Sequence, residues 1–520
     1  MAIANVKYPI GQQSFEVLRR NNYLYVDKTH YIEKIINGGQ YYFLGRPRRF
    51  GKSLFLSTLK SFYEGKRELF KGLYADTMDW NWEPYPVLYL DLNTGRYKDD
   101  GELCAVIDRQ LRDWEEEYDV DVKDTAYSQR FATLIKKAYQ KTGKGVVILV
   151  DEYDKPLVNN IHDRKKFEEY RSALASLYSN FKSAAEYIEL VFLTGVSRFG
   201  KLSVFSGLNN IRDISFVQDF SAICGITEEE LKADFKSGIA ALAEEYERSE
   251  GEEIRELKRW YDGYHFSKKS PDIYNPFSLL QVFASRDYSN YWIASGKSSL
   301  LAEQLKRTDS DLKSVMNSQC GQTALEGLDI DSISPLALLY QTGYLTIKHY
   351  DREDKLYTLG IPNLEVKQGF YEQLLPYYTS LTEDNAHVFI VQLRKEMQCG
   401  EVDAFMKRLQ SLFAGFGHDL KFDEERNVQN AMLLIFSLIG INVDAEIKTS
   451  DGRIDLLVRT ADYIYIMELK YNHSAEEALS QIMDKDYSLP WSIDSRKTIA
   501  VGINYSTEKR RIDEWKYKVL

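Results

Sequence analysis

Two groups of residues have types and spacing that could do chemistry. The first is Gly51-Lys52-Ser53. It follows the apolar run Tyr41-Tyr42-Phe43-Leu44-Gly45 across a basic loop, Arg46-Pro47-Arg48-Arg49-Phe50, and opens a stretch with Leu56, Leu59 and Phe62 at helical spacing. Glycine at 51 lets the backbone approach phosphate oxygens, and the helix N-terminus turns free N–H groups toward them. Lys52 neutralises charge and Ser53 can hold magnesium. That is the chemistry of nucleoside triphosphate binding, with Gly45, Arg49, Gly51, Lys52, Ser53 and Leu54 as contacts. The spacing departs from the usual phosphate-loop pattern: five residues rather than four lie between Gly45 and Gly51, and Arg46 takes the slot of the first glycine.

About one hundred residues on, Val146-Val147-Ile148-Leu149-Val150 ends in Asp151-Glu152. An acidic pair after a strand can be a solvated strand end. After a phosphate loop and an intervening strand, Asp151 reads as the magnesium-side carboxylate and Glu152 as the group that polarises attacking water. A further apolar run, Ile188 to Thr194, precedes Gly195-Val196-Ser197-Arg198. Thr194, and less strongly Arg198, could sense a terminal phosphate; Thr194 could equally just cap the strand.

The second group is Asp455, Glu468 and Lys470. Gly452 to Val458 and Tyr463 to Lys470 read as a hairpin, and on a strand residues two apart share a face. Glu468 and Lys470 then project together while Leu469 points into the core, and Asp455 can join them from the partner strand. Two carboxylates could hold Mg2+ or Mn2+ through oxygen ligands, with an ammonium beside them to position or deprotonate water and stabilise a pentavalent phosphate.

These groups need elements to position them. Strands alternating with helices over the first third, including an apolar run at Val87-Leu88-Tyr89-Leu90-Asp91 and helical periodicities after it, predict a parallel sheet covered on both faces with its ligand at the carboxyl ends of the strands. Asp27 or Thr29 could cap a helix reaching Ile36. Thr227-Glu228-Glu229-Glu230 starts a new helical unit, and the charged run Glu244 to Arg259 is most simply a solvated helical face. The aromatic turns Trp260 to Phe266 and Tyr274 to Phe277 could stack nucleic-acid bases, though such clusters more often form a small core. A helix from Pro335, a strand from Tyr344 and a return at Leu356 suggest a winged-helix-like lid whose acidic turn, Asp351 to Asp354, would repel phosphates. A helix with Val428, Met432, Ile435, Phe436 and Ile439 leads into the second group, and Ser474-Ala475-Glu476-Glu477 reads as a capping box after it.

Composition narrows the classes. With 520 residues the chain exceeds one core, and its 44 % apolar and 13 % aromatic content is that of a folded protein. A net charge of −11 argues against non-specific coating of nucleic acid. Cys104, Cys224, Cys320 and Cys399 are scattered, so neither a zinc site nor a disulfide framework is indicated. The start of the chain lacks a signal-peptide pattern, and the longest apolar run, Ala431 to Ile441, is interrupted and too short to span a bilayer. The expectation is a soluble cytoplasmic protein with no membrane partner.

Pro9-Ile10-Gly11, Tyr25-Val26-Asp27-Lys28-Thr29, the loop Gly45 to Ser53, Asp151-Glu152-Tyr153-Asp154 and Thr194 to Arg198 together resemble the bacterial AAA-ATPase-like family. The resemblance implies ATP binding, and that the extra loop residue is a family trait. The C-terminal spacing resembles the PD-(D/E)xK nuclease superfamily over roughly residues 420 to 510. It implies that Glu425 is the acidic residue of the leading helix, Asp455 the lone aspartate, Glu468 and Lys470 the Glu-x-Lys pair and Gln481 the glutamine of the following helix. Gly452-Arg453-Ile454 stands where the eponymous proline would precede the aspartate.

The expected architecture is α/β: a P-loop NTPase domain over 1–225, a helical and winged-helix-like lid over 226–380 and a restriction-endonuclease-like α/β domain over 381–520. The expected function is ATP binding and hydrolysis coupled to a Mg2+-dependent nuclease acting on DNA. One alternative is a nucleotide-controlled signalling or scaffold ATPase whose terminal domain binds without cutting. Another is an ATPase acting on proteins with a structural tail. A homo-oligomer sharing an arginine finger suits such ATPases, and no finger can be assigned.

Overall fold

The computed structural model describes residues 6–520 except 199–209, 297–298, 309, 327–333, 415–423, 441–443, 451–452 and 486, with the backbone alone at 299–300, 383, 424–425, 444–450 and 453–455. The chain forms two compact units, one of residues 1–292 with 318–363 and one of 293–317 with 364–520.

The first unit is built on a parallel sheet of β1 (Tyr41–Gly45), β2 (Val87–Asp91), β3 (Val146–Asp151), β4 (Ile188–Gly195) and β5 (Arg212–Asp213), in the order β2-β3-β4-β1-β5. All of β3 is buried, which is why it reads as an unbroken apolar run rather than an alternating one. Amphipathic helices cover the sheet. Glu102–Glu117 buries Leu103, Ile107 and Leu111, Tyr127–Thr142 buries Phe131, Leu134 and Ile135, and Arg164–Ser183 buries Phe167, Leu174 and Leu177. Neither Asp27 nor Thr29 caps the short helix His30–Ile36. The Thr29 hydroxyl donates to Asp27 (2.7 Å), and Asp27 and Thr29 instead accept the Tyr74 and Ala75 amides.

Beyond the sheet, β6 (Ile226–Thr227) pairs antiparallel with β7 (Ile273–Tyr274), and Thr227 with Glu230 forms the capping box of helix Glu228–Asp234. The charged run is not one solvated face. Glu247, at φ 51°, lies in a turn between helices Lys236–Glu245 and Glu250–Tyr261, and Glu253 is fully buried, accepting the Tyr288 hydroxyl. Tyr261, Tyr264, Phe266 and Tyr274 are buried too, so these aromatic turns are mainly core, with Trp260 and Phe277 half-buried at their edges. Helix Pro335–Thr342 lies in the chain between the first two strands of a three-stranded antiparallel sheet, β8 (Gln319–Cys320), β9 (Thr346–Tyr350) and β10 (Tyr357–Gly360), in the order β8-β10-β9. Its acidic turn is held locally, by Asp351 Oδ1 accepting the amides of Glu353 (2.8 Å) and Asp354 (3.1 Å).

A charge cluster around the buried Asp262 ties the Glu250–Tyr261 helix to this hairpin. Lys258 Nζ lies 3.0 Å from Asp272, 3.3 Å from Glu228 and 3.6 Å from Asp262, and His265 bridges Asp272 and the Ile347 carbonyl. Burial pushes the Asp262 carboxyl up to about 7, against the lowering effect of the Gly263 N–H and of Lys258. The fold therefore favours protonated Asp262. That contribution is complete below about pH 4 and is lost as pH rises through 7. Asp262→Asn is expected to melt several degrees above the parent at pH 8 by calorimetry, with the gap closing below pH 5.

The second unit carries a mixed sheet, β11 (Asp444–Ser450), β12 (Arg453–Arg459), β13 (Tyr463–Tyr471), β14 (Lys497–Ser506) and β15 (Arg511–Val519), in sequential order and parallel only between β13 and β14. Helix Ala475–Asp484 makes the crossover that a parallel pair requires. It sits against β14 at Gly502, where a Cβ would lie 2.2 Å from the Ala475 carbonyl oxygen and 2.5 Å from the Leu479 nitrogen. Gly502→Ala is expected to cost about 1–3 kcal/mol by urea unfolding and to push this helix off the sheet. No helix among the described residues is long and apolar enough to cross a membrane.

Candidate functional sites at the strand tips of each unit

In the first unit β1 ends at Gly45 and helix Lys52–Tyr63 begins after Gly51. Gly51 has φ 97° with nothing within 4 Å of where a Cβ would be, so glycine is required here by backbone strain and not by space. Arg49 is also left-handed, at φ 67°, which helps the longer loop to close. Lys52 is buried, and its ammonium donates to the Arg46 (2.9 Å) and Pro47 (3.0 Å) carbonyls, so the cation is held inside the loop. Ser53 and Leu54 follow in the first turn, both half-buried.

Arg46 does not offer its charge to the loop cavity. It is buried, donates to the carbonyls of Gly45, Ser215, Phe220 and Ser221, and lies 4.2 Å from the Phe266 ring centroid. Burial lowers its pKa to about 10. The residue in the first glycine's slot thus clamps the loop to the segment after β5, and Gly45 N–H donates to Ser215 Oγ (2.7 Å) on the same side. Arg48 and Arg49 lie over the Trp292 and Phe277 rings.

The tips of β3 and β4 meet in one network. Thr194 Oγ1 donates to Asp151 Oδ1 (2.6 Å), and the Tyr89 hydroxyl reaches Asp151 Oδ2 at 3.4 Å. Thr194 thus neither stands alone as a phosphate sensor nor merely ends a strand: its hydroxyl orients the Asp151 carboxylate. Glu152 has φ 51°; burial raises its carboxyl pKa, and Lys52 works against that rise. Asp154 is buried and accepts the Val196 and Ser197 amides, folding the turn after β4. Arg198 is buried over the Phe216 ring, 3.7 Å from Asp213, with its amide on Gln341 Oε1. Asp154 stood in the sequence only within the Asp151-Glu152-Tyr153-Asp154 motif, with no role of its own, and Tyr89 and Ser215 were not singled out. Tyr89 left a trace, because it shares a strand face with Asp91, whose register partner is Asp151.

In the second unit Glu468 is fully buried and Lys470 half-buried on β13. Gln481, from the crossover helix, joins them: its amide nitrogen donates to Glu468 Oε1 and its amide oxygen accepts from Lys470 Nζ. The backbone of Asp455 lies directly opposite Glu468 in the β12–β13 register, and that of Glu425 lies in helix Glu424–Ile439; the side chains of both fall outside the described residues. Among the described residues no three His, Cys, Asp or Glu side chains converge as a metal site. The helix carrying Gln481 starts as half a capping box. Ser474 accepts the Glu477 amide (3.1 Å), while the Glu477 carboxylate turns to His473 (3.0 Å) and not back to the cap.

A family model described as predicted AAA-ATPase matches residues 9–205, and one for the PD-(D/E)XK nuclease superfamily matches 423–515. A protein of Azotobacter chroococcum mcd 1, described as an uncharacterized protein in the vnfD 5′ region, is 33% identical over 525 residues, covering 97% of this chain and 98% of its own. The chain belongs to the predicted AAA-ATPase family and carries a PD-(D/E)XK superfamily domain. In this family member the longer loop has a physical account, since the extra length lets Arg46 turn away to clamp the scaffold while Lys52 closes the loop. It is a nucleotide-binding, nuclease-like protein in which the two sets of chemical groups belong to different units.

Proposed function

We propose that the first unit binds and hydrolyses ATP and that the second cleaves phosphodiester bonds in DNA with the help of a divalent metal. The observation that carries the second half is Gln481, which bridges Glu468 and Lys470 and so fixes an acid and an ammonium side by side at the point where Asp455 enters the register. Glu468 and Asp455 would together offer an all-oxygen donor set, which suits Mg2+ or Mn2+. When bound there, such an ion would supply a Lewis acid for the scissile phosphate and a more acidic water. Lys470 would stabilise developing phosphate charge, and Gln481 would keep the acid and the amine from collapsing onto one another. In the first unit the Gly51 to Leu54 amides and Lys52 would hold the phosphates. Ser53 and Asp151 would hold Mg2+, Glu152 would take the water's proton, and Thr194 would keep Asp151 aimed.

The test is a cleavage assay on supercoiled and linear DNA with the full chain, ATP and Mg2+ or Mn2+. Metal-dependent nicking that vanishes in Asp455→Ala and persists in Lys52→Ala supports the reading. Retained DNA binding with no cleavage in either metal would instead support a scaffold whose terminal domain binds without cutting.

A further inference from the structure

A cavity of about 20 Å³ lies where the start of the phosphate loop meets the turn after β4 and the segment after β5, and two buried arginines, Arg46 and Arg198, border it. We propose that it is a binding site for one monovalent anion of chloride size, which neutralises these guanidiniums and fixes the loop to its scaffold. The proposal does not depend on the nucleotide reading of the loop.

The donors come first. A guanidinium has five N–H bonds. Four of those on Arg46 are matched by the carbonyls of Gly45, Ser215, Phe220 and Ser221, and the fifth, on Nε, is buried with no partner. Arg198 Nη1 is likewise buried without a hydrogen bond, and Asp213 Oδ2 stands off from it at 3.7 Å. The two side chains converge on Gly45. Arg46 Nη1 donates to the Gly45 carbonyl (2.8 Å), and a Cβ on Gly45 would lie 3.5 Å from Arg198 Nε and 3.2 Å from Ser215 Oγ. Ser215 Oγ accepts the Gly45 amide (2.7 Å), which leaves its own proton for a further donation. Buried charged donors without a partner are costly, so two of them at one cavity call for an acceptor.

Charge and size choose that acceptor. No described residue bordering the cavity is acidic. Arg46 and Arg198 bring two positive charges and Asp213 offsets one, so a single negative charge balances the cluster. Burial lowers the Arg46 pKa only to about 10, which keeps it charged at neutral pH. The volume is close to the roughly 15 Å³ that one water-sized sphere needs, too small for phosphate or sulfate. A water would fit, but it must also give away two protons. The side-chain oxygens of Gln341 and Thr346 on these walls are already engaged, by the Arg198 amide (2.8 Å) and the His265 amide (2.7 Å). A spherical anion asks only for donors, and donors are what the two arginines and Ser215 supply.

The experiment is thermal unfolding of the full chain as chloride or bromide replaces gluconate, from about 1 to about 100 mM at fixed total salt, so that screening stays constant. The midpoint is expected to rise by about 2–4 °C with either halide. Arg198→Met keeps a side-chain stem over Phe216 but removes the charge and the donor, and it should lose the halide response. A parent midpoint that neither halide moves would overturn the site and give the cavity to a water. A response of undiminished size in Arg198→Met would place the ion elsewhere and overturn it too. Should Arg198→Met not fold, the parent decides the matter: crystals grown in bromide are expected to show an anomalous peak between Arg46 Nε and Arg198 Nη1. Peaks confined to the loop amides or to the surface would count against the cavity.

Discussion

Glu468→Gln is expected to abolish metal-dependent DNA cleavage, by about 10³-fold or more, with the thermal midpoint close to that of the parent. The replacement has the same shape, and β13 is held between β12 and β14, so the backbone has no reason to move. What changes is charge. Glu468 is completely buried, and a buried carboxylate that loses its charge gives up most of its attraction for a divalent cation, an attraction the low-dielectric surroundings strengthen. The substitution also places an amide against the Gln481 amide, which now donates to a carboxylate. Two measurements separate the causes: calorimetric titration with Mn2+ reports loss of the cation, and nicking of supercoiled DNA over a metal series reports loss of chemistry. If Glu468→Gln cuts DNA at the parent rate, the β13 carboxylate is not part of a catalytic centre and the terminal domain is a binding module.

The strand placement of the second group was legible because strand geometry is. Alternation along β13 puts Glu468 and Lys470 on one face, and antiparallel register alone brings Asp455 opposite Glu468. Gln481 could be expected only from a resemblance, since nothing in its local sequence says that a helix entered from β13 will return its side chain to that strand. Gly502 makes the return possible, and a glycine inside an apolar strand gives no hint of which backbone approaches it. In the first unit the apolar runs announced the sheet, and a helix N-terminus after Gly51 announced the loop. The role of Arg46 was hidden, because its four carbonyl partners lie on residues 45 and 215 to 221, which only the folded chain brings together. Thr194 was legible as a polar strand tip. Its commitment to Asp151 depends on β3 and β4 being neighbours, a fact of sheet order that the alternation of elements leaves open. The charged run misled for a similar reason. Glu253 looks like its exposed neighbours in sequence, and only the Tyr288 hydroxyl and Arg248 make it a core residue.

Lys52→Ala is expected to weaken ATP binding by about a hundredfold or more and to remove hydrolysis with it. The ammonium has two duties in the structure. It is the cation of the loop, and through Arg46 and Pro47 it also satisfies two carbonyls that would otherwise point inward without a donor. Alanine removes both, so the loop loses its charge and its brace together. Lys52→Arg is not expected to rescue, because a planar guanidinium cannot replace a compact ammonium between two loop carbonyls. Thr194→Val makes the informative contrast. It removes the 2.6 Å donation to Asp151 while leaving every loop amide and Lys52 in place. ATP should then bind within a few-fold of the parent, while the Mg2+ concentration needed for half-maximal hydrolysis rises, because a less well-oriented Asp151 carboxylate grips the ion less firmly. Calorimetry with ATP, alone and with Mg2+, together with phosphate release over a Mg2+ series, resolves the two effects. A Thr194→Val chain with normal Mg2+ dependence would return Thr194 to a merely structural place at the end of β4. A Lys52→Ala chain that binds ATP as the parent does would show that Gly51 and its loop are only a strand-to-helix turn.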